Sequence, residues 1–136
     1  MDKKIIREYD DNDNLVYYKN FFGTEYWKEY DENNNRIHYK DSSDFEEWYE
    51  FDENNNCIYY KNTKGYEYWS EWDEKNREIY YKNSSKDEFF WKYNKNNESI
   101  EITQQEFKKI KRKKEYDKYR EFVNNSKISR FSLMDI

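Results

Sequence analysis

The chain has 136 residues, 40% of them charged and 22% aromatic, with a formal net charge of −5. A mean hydropathy of −1.61 excludes a core built from aliphatic side chains, and no stretch is long and apolar enough to span a membrane as a helix. So many rings also exclude a disordered chain, and a single cysteine, Cys57, excludes an internal disulfide.

Near the N-terminus, Met1-Asp2-Lys3-Lys4 leads only into Ile5-Ile6 and then into charge, which is no secretory leader. With the lone cysteine it points to a cytoplasmic protein. The chain then repeats every 21 residues. Glu8, Glu29, Glu50 and Glu71 form one column, with Lys92 next in the series. Tyr9, Tyr30, Phe51, Trp72 and Tyr93 form a second, and Val16, Ile37, Ile58, Ile79 and Ile100 a third. Trp27, Trp48, Trp69 and Phe90 form a fourth. A fixed period marks one supersecondary unit that stacks on its neighbours.

Each unit predicts two strands. In one unit they are 25–31 and 36–40, separated by the Asn/Asp cluster at 32–35. Short polar links such as 41–44 and 62–65 join one unit to the next. Asn and Asp stabilise tight turns with their own side chains, so aromatic runs between such clusters predict hairpins. The expected fold is mainly β, an antiparallel meander of nine or ten strands in tandem 21-residue hairpins. A flat sheet of that width is uncommon, so a twisted, coiled or partly closed sheet is expected, with a single wet layer as the alternative.

Setting Lys40 opposite Glu46 and Tyr30 opposite Ile37 assigns two consistent faces. Tyr26, Tyr30, Ile37, Tyr39 and Tyr49 form the expected core face. Glu25, Trp27, Glu29, His38 and Lys40 form the charged aromatic face. A slip of one residue would exchange them.

After residue 102 the pattern turns helical. Thr103-Gln104-Gln105-Glu106 is a capping box, with Ile102 and Phe107 in staple positions. It predicts a helix over about 104–123, placed to cap the last strand edge. Residues 128–136 are expected to be a packed tail or a short linear motif. The charge divides at the same point. Residues 1–102 carry 15 Lys/Arg against 25 Asp/Glu, and residues 103–136 carry 10 against 5. The expected organisation is an acidic repeat domain, 1–102, followed by a basic helix and tail, 103–136.

Tyr9-Asp10, Tyr30-Asp31, Phe51-Asp52 and Trp72-Asp73 each precede a polar turn and a strand, and Tyr49-Glu50-Phe51-Asp52 repeats the aromatic-x-aromatic-Asp return. Over residues 6–102 this resembles the YD repeats of Rhs-type bacterial proteins, with Asn standing where those repeats usually place a turn Gly. The resemblance implies a spiral of β-hairpins. It does not imply that family's shell around a toxin, because about four repeats cannot enclose a polypeptide. Choline-binding cell-wall repeats share the length and aromatic content but start on Gly-Trp, which is missing here.

The motifs that could carry chemistry have simpler structural explanations. Asp10-x-Asn12-x-Asn14, Asp31-x-Asn33-x-Asn35 and Asp52-x-Asn54-x-Asn56 echo a calcium loop. That loop needs Gly at its sixth position and Glu at its twelfth. Here those positions hold Leu15, Arg36 and Cys57, then Phe21, Ser42 and Thr63, which favours plain turns. Catalytic carboxylates come as a pair in unlike environments, whereas the Glu column recurs in equivalent ones. His38 stands in the column of Tyr17, Tyr59 and Tyr80 as a tyrosine substitute, with no second His to complete a zinc site. No catalytic residue, metal or cofactor is expected.

Two surfaces remain. Trp27, Trp48 and Trp69, about 10 Å apart at two strand spacings, are either packed on Lys40 and Lys61 by cation–π contact or are binding anchors. With Glu29, Glu50, Glu71, Tyr59 and Tyr80 they form the expected partner-binding face. Lys108, Lys109, Lys111, Arg112, Lys113 and Lys114 could hold phosphates, although the acidic body would repel nucleic acid. The expected function is therefore a non-enzymatic inhibitor, of the anti-CRISPR or toxin-immunity kind. Its acidic face would occlude the basic nucleic-acid-binding surface of a partner protein, for example a nucleic-acid-processing enzyme or nuclease toxin, without a membrane role. The alternatives are a glycan-binding aromatic repeat and nucleic-acid binding through the basic helix.

Overall fold

A computed structural model describes residues 4–134, with side chains as far as residue 126. Ten strands follow in order: β1 (Ile6–Tyr9), β2 (Leu15–Lys19), β3 (Glu25–Tyr30), β4 (Arg36–Asp41), β5 (Glu46–Phe51), β6 (Cys57–Asn62), β7 (Glu67–Trp72), β8 (Glu78–Asn83), β9 (Glu88–Tyr93) and β10 (Ser99–Ile102). They form one open antiparallel sheet in chain order, and the helix α1 (Gln104–Met134) follows. The chain divides into two compact units, one ending at Phe89 and one beginning at Phe90.

In the first unit, side chains build the turns. Asp31 Oδ1 accepts hydrogen bonds from the backbone N–H groups of Asn33 and Asn35, each at 2.9 Å. Asn34 takes the left-handed backbone, φ 63°, which Asn tolerates better than most residues. Asp10, Asp52 and Asp73 repeat the arrangement. Successive turns are then tied together. Asn14, Asn35 and Asn56 donate to Asn34, Asn55 and Asn76 at 2.8–2.9 Å. At the opposite ends of the strands, Ser42, Thr63 and Ser84 accept from the N–H of Glu25, Glu46 and Glu67.

The hairpins β1–β2, β3–β4, β5–β6 and β7–β8 each carry one bulge, whereas in β9–β10 Ile100 pairs directly with Lys92. Lys40 pairs with Glu46, as expected. Tyr30, however, pairs with Arg36 and not with Ile37, because Glu29 pairs with His38 and Ile37 is skipped. Val16, Ile58 and Ile79 are skipped in the same way. Following the pairs Trp27–Lys40 and Lys40–Glu46 carries a residue to its neighbour two strands on in 19 positions. A 21-residue repeat therefore returns two residues further along the strand, an even offset that preserves the face. Had the Tyr30–Arg36 register at the turn continued unbroken along the strands, the step would be 20, and every column would alternate between faces.

The bulge also corrects two expectations. Ile58, the counterpart of Ile37, lines a depression with Glu50, Tyr59 and Trp69 and so sits with the tryptophan face. The tryptophans are staggered as well as spaced, so they stand about 12 Å apart, from two strand spacings and two residues of rise, not 10 Å.

The tyrosine face is not a core. Its tyrosines are half-buried, and among the described residues no side chain is fully buried. The strands of the first unit pair only in chain order, so its sheet is open and not closed on itself. Rings replace the missing second layer: Tyr18–Tyr26 lie 4.9 Å apart, Tyr49–Tyr60 4.8 Å and Tyr60–Tyr68 5.3 Å. The most enclosed groups on this face are polar. Glu47 is buried, 2.7 Å from Arg36 and accepting from Tyr60 at 2.9 Å. Buried Asn83 is held between Tyr81 and Asp87. Rings with hydroxyls bury area and satisfy these groups at once.

In the second unit, the Thr103 hydroxyl accepts from the Glu106 N–H at 3.2 Å, so the cap forms as the sequence predicts. Ile102 and Phe107 are the buried apolar residues, and the Phe107 ring lies 5.0 Å from Phe90 of β9. The helix runs to Met134 rather than ending near 123. Neither Gly nor Pro interrupts it, and Asn124, Asn125 and Ser126 are weak formers that do not stop a helix. Of the tail expected over 128–136, the backbone to Met134 is helical, and its side chains lie outside the described residues.

Candidate functional site

Direct strand pairing arranges the charged aromatic face into rows. One row is Glu8, Tyr17, Trp27, Lys40 and Glu46 across β1–β5. The next is Glu29, His38, Trp48, Lys61 and Glu67 across β3–β7. A third begins Glu50, Tyr59, Trp69 and Lys82. All eight predicted partner-binding residues therefore lie on one face. Trp27 and Trp69 are each 39% exposed, and Glu29, Glu50 and Glu71 are exposed. Trp48 is half-buried, stacked on His38 at 5.5 Å and 18°. Tyr59 and Tyr80 are half-buried.

Each tryptophan leans on the ring that precedes it in its row. Tyr17–Trp27 centroids are 5.6 Å apart and Tyr59–Trp69 5.7 Å. The expected packing on lysine does not form at Trp27, Trp48 or Trp69 among the described residues. The cations instead cover the tyrosine face, with Lys28 over Tyr26 and Arg36 over Tyr39 and Tyr49. Trp27 and Trp69 stay exposed beside these rings, while Trp48 is half-buried against His38.

A second carboxylate column, unnoticed in the sequence, fixes those rings. Tyr17, Tyr59 and Tyr80 donate to Glu25, Glu67 and Glu88 at 3.1, 3.0 and 3.2 Å. His38 Nε2 meets Glu46 at 2.7 Å in the same position, so it does stand in for tyrosine. Burial and these hydrogen bonds push the three tyrosine hydroxyls above their ordinary pKa, because each carboxylate opposes a second negative charge. The signal was present in the sequence as Lys-to-Glu links of fixed length, but a hydrogen bond on the diagonal needs the register to be seen.

Two open depressions break the face. One, of about 710 Å³, is lined by Asp52, Ile58, Trp69, Trp72, Tyr80 and Lys82 among others. The other, of about 420 Å³, is lined by Glu50, Ile58, Tyr59 and Trp69. Asp52 lines the larger hollow with a carboxylate already engaged by its own turn, accepting from the Asn54 and Asn56 N–H groups at Oδ1 and from Asn56 Nδ2 at Oδ2. Asp10 Oδ1 takes two backbone N–H groups and Oδ2 takes Asn14 Nδ2, which holds the carboxyl below its ordinary pKa.

On α1, Lys108, Lys109, Lys111, Arg112, Lys113 and Lys114 are all exposed. Lys111 lies 4.9 Å over the Phe107 ring. Tyr116, Tyr119 and Phe122 are 59–69% exposed.

No family model matches the chain, and no curated protein matches it in sequence. Similar solved structures include the TcdB2-TccC3-TEV crystal structure, at 11% identity over 71% of this chain with a TM-score of 0.48. The TcdB2-TccC3-Cdc42 structure matches 71% of this chain at 13% identity and 0.44. The Photorhabdus luminescens Tc holotoxin pore matches 71% at 12% and 0.44. This chain spans 7% of the length of the first two and 6% of the third.

Proposed function

We propose that this chain is a non-enzymatic protein-binding module, a small cytoplasmic inhibitor of the anti-CRISPR or toxin-immunity kind. Its tryptophan face covers a basic, nucleic-acid-binding surface on its target. The observation that carries this reading is the column of exposed Trp27 and Trp69 and half-buried Trp48 with exposed Glu29, Glu50 and Glu71, on a layer that no described residue covers within its unit. Exposed rings anchor an interface, and a regular carboxylate column complements a groove built for phosphates. In the second unit, Phe107 of the helix packs on Phe90.

A tagged pull-down at low and moderate salt, with and without nuclease, tests it. A stoichiometric protein that survives nuclease, and is lost with Trp48→Ala/Glu50→Lys while the fold melts normally, supports the reading. Retained capture by that double variant overturns it. The exposed cations and rings of α1 favour one rival, direct nucleic-acid binding. Recovery of nucleic acid alone, abolished by nuclease, would establish the rival instead.

A further inference from the structure

The depression formed by Glu50, Ile58, Tyr59 and Trp69 pairs an indole wall with a carboxylate. Glu50 is exposed and, among the described residues, accepts no hydrogen bond and makes no ion pair. The Tyr59 hydroxyl is already committed to Glu67. A free carboxylate beside an aromatic face suits a planar cation. The carboxylate takes two N–H groups of a guanidinium, and the ring takes its flat face. An ammonium offers no face to stack and no fork. The adjoining depression shares Ile58 and Trp69 and adds Lys82 with two carboxylates that are already engaged: Asp52 accepts from Asn54 and Asn56, and Glu71 has a partner of its own. The cation therefore belongs on the Glu50 side.

The same columns recur as Glu29, Ile37, His38 and Trp48, and as Glu8, Val16, Tyr17 and Trp27. The steps between them are about 12 Å, from two strand spacings and two residues of rise. A helix returns to the same side every seven residues, a rise of about 10.5 Å, which long arginine side chains extend to that step.

We propose that the tryptophan face is a repeating receptor for arginine side chains of a basic helical segment in a partner protein, with Glu50 and Trp69 forming its best-defined seat. This rests on the same face as the proposed function, but not on the target being a nucleic-acid-binding enzyme.

The test is titration of the full chain with a synthetic helical peptide bearing three arginines seven residues apart, followed by tryptophan fluorescence and calorimetry. The same peptide with lysines at those positions is the comparison. We expect the lysine peptide to bind about tenfold more weakly, and Glu50→Gln and Trp69→Leu each to weaken the arginine peptide about fivefold. Glu50 is exposed, so Glu50→Gln should melt like the parent and report binding alone. Equal affinity for the two peptides, unchanged affinity in both variants, or no binding would overturn the proposal. If the pull-down yields no nucleic-acid-binding target while peptide binding behaves as expected, only the target class fails. If a target is captured but arginine peptides are ignored, only the arginine seats fail.

Discussion

Replacing Arg36 by alanine tests how a sheet without a second layer is held together. Arg36 Nη2 lies 2.7 Å from Glu47 Oε1 and 3.4 Å from the Tyr49 hydroxyl. Its guanidinium sits 5.3 and 5.6 Å from the Tyr39 and Tyr49 ring centroids. The two side chains are 35% and 12% exposed. Breaking a fully buried pair costs about 3–5 kcal/mol, and an exposed pair contributes about 0.2–1 kcal/mol. Water reaches this guanidinium, and Glu47 keeps its Tyr60 hydrogen bond, so the ionic loss lies low in that interval. With two lost ring contacts of about 0.5 kcal/mol each, Arg36→Ala should cost about 2 kcal/mol. For a chain of this size that lowers Tm by about 8 °C. Glu47→Ala should cost a similar amount. The double variant should cost about 1.5 kcal/mol less than the sum, because the partners touch. Thermal and urea melts of the four proteins complete the cycle. A cost for Arg36→Ala below about 0.5 kcal/mol, or strict additivity, would refute the reasoning.

Lys86 occupies a left-handed backbone, φ 70°, where the equivalent turns carry Gly23 and Gly65. Lys86→Gly should therefore stabilise by about 0.5 kcal/mol, the relief of left-handed strain less the added freedom of the unfolded chain, and a lower Tm would contradict this. Deleting Ile58 removes only the residue that the ladder skips and leaves Glu50 opposite Tyr59 and Phe51 opposite Cys57, so the variant should keep a cooperative melt at a cost of about 2 kcal/mol for the lost side chain. Ile58→Val should cost about 1 kcal/mol, and loss of the cooperative melt in the deletion would refute the bulge reading. Hydrogen bonds from turn donors hold Asp10, Asp31 and Asp41 below the ordinary carboxylate pKa, as do those from Arg77 and its neighbours at Asp73, which outweigh the upward push of burial at Asp31 and Asp73. A lowered folded pKa stabilises above the unfolded value, about 4, and that stability is lost as pH falls through the folded pKa. Tm should hold from neutral pH down to about 5 and fall below about 4, and an unchanged Tm at about pH 3 would show that these turns do not contribute.

The sequence by itself determined whatever depends on neighbours along the chain. The 21-residue period, the strand pairs, the Asp- and Asn-closed turns and the capping box at Thr103 all follow from local hydrogen bonding and side-chain alternation. Only the tertiary structure decided what depends on register between strands. The skipped Ile37 and Ile58 leave no local mark, because a bulge exists only relative to the opposite strand. The bonds from Tyr17, His38 and Tyr59 to Glu25, Glu46 and Glu67 run on a diagonal, and the Arg36–Glu47 pair joins residues that become neighbours only after the bulge turns Arg36 toward the tyrosine face. The number of layers was undecided for the same reason: alternating faces specify which side chains share a surface, and only long-range packing decides whether anything covers it.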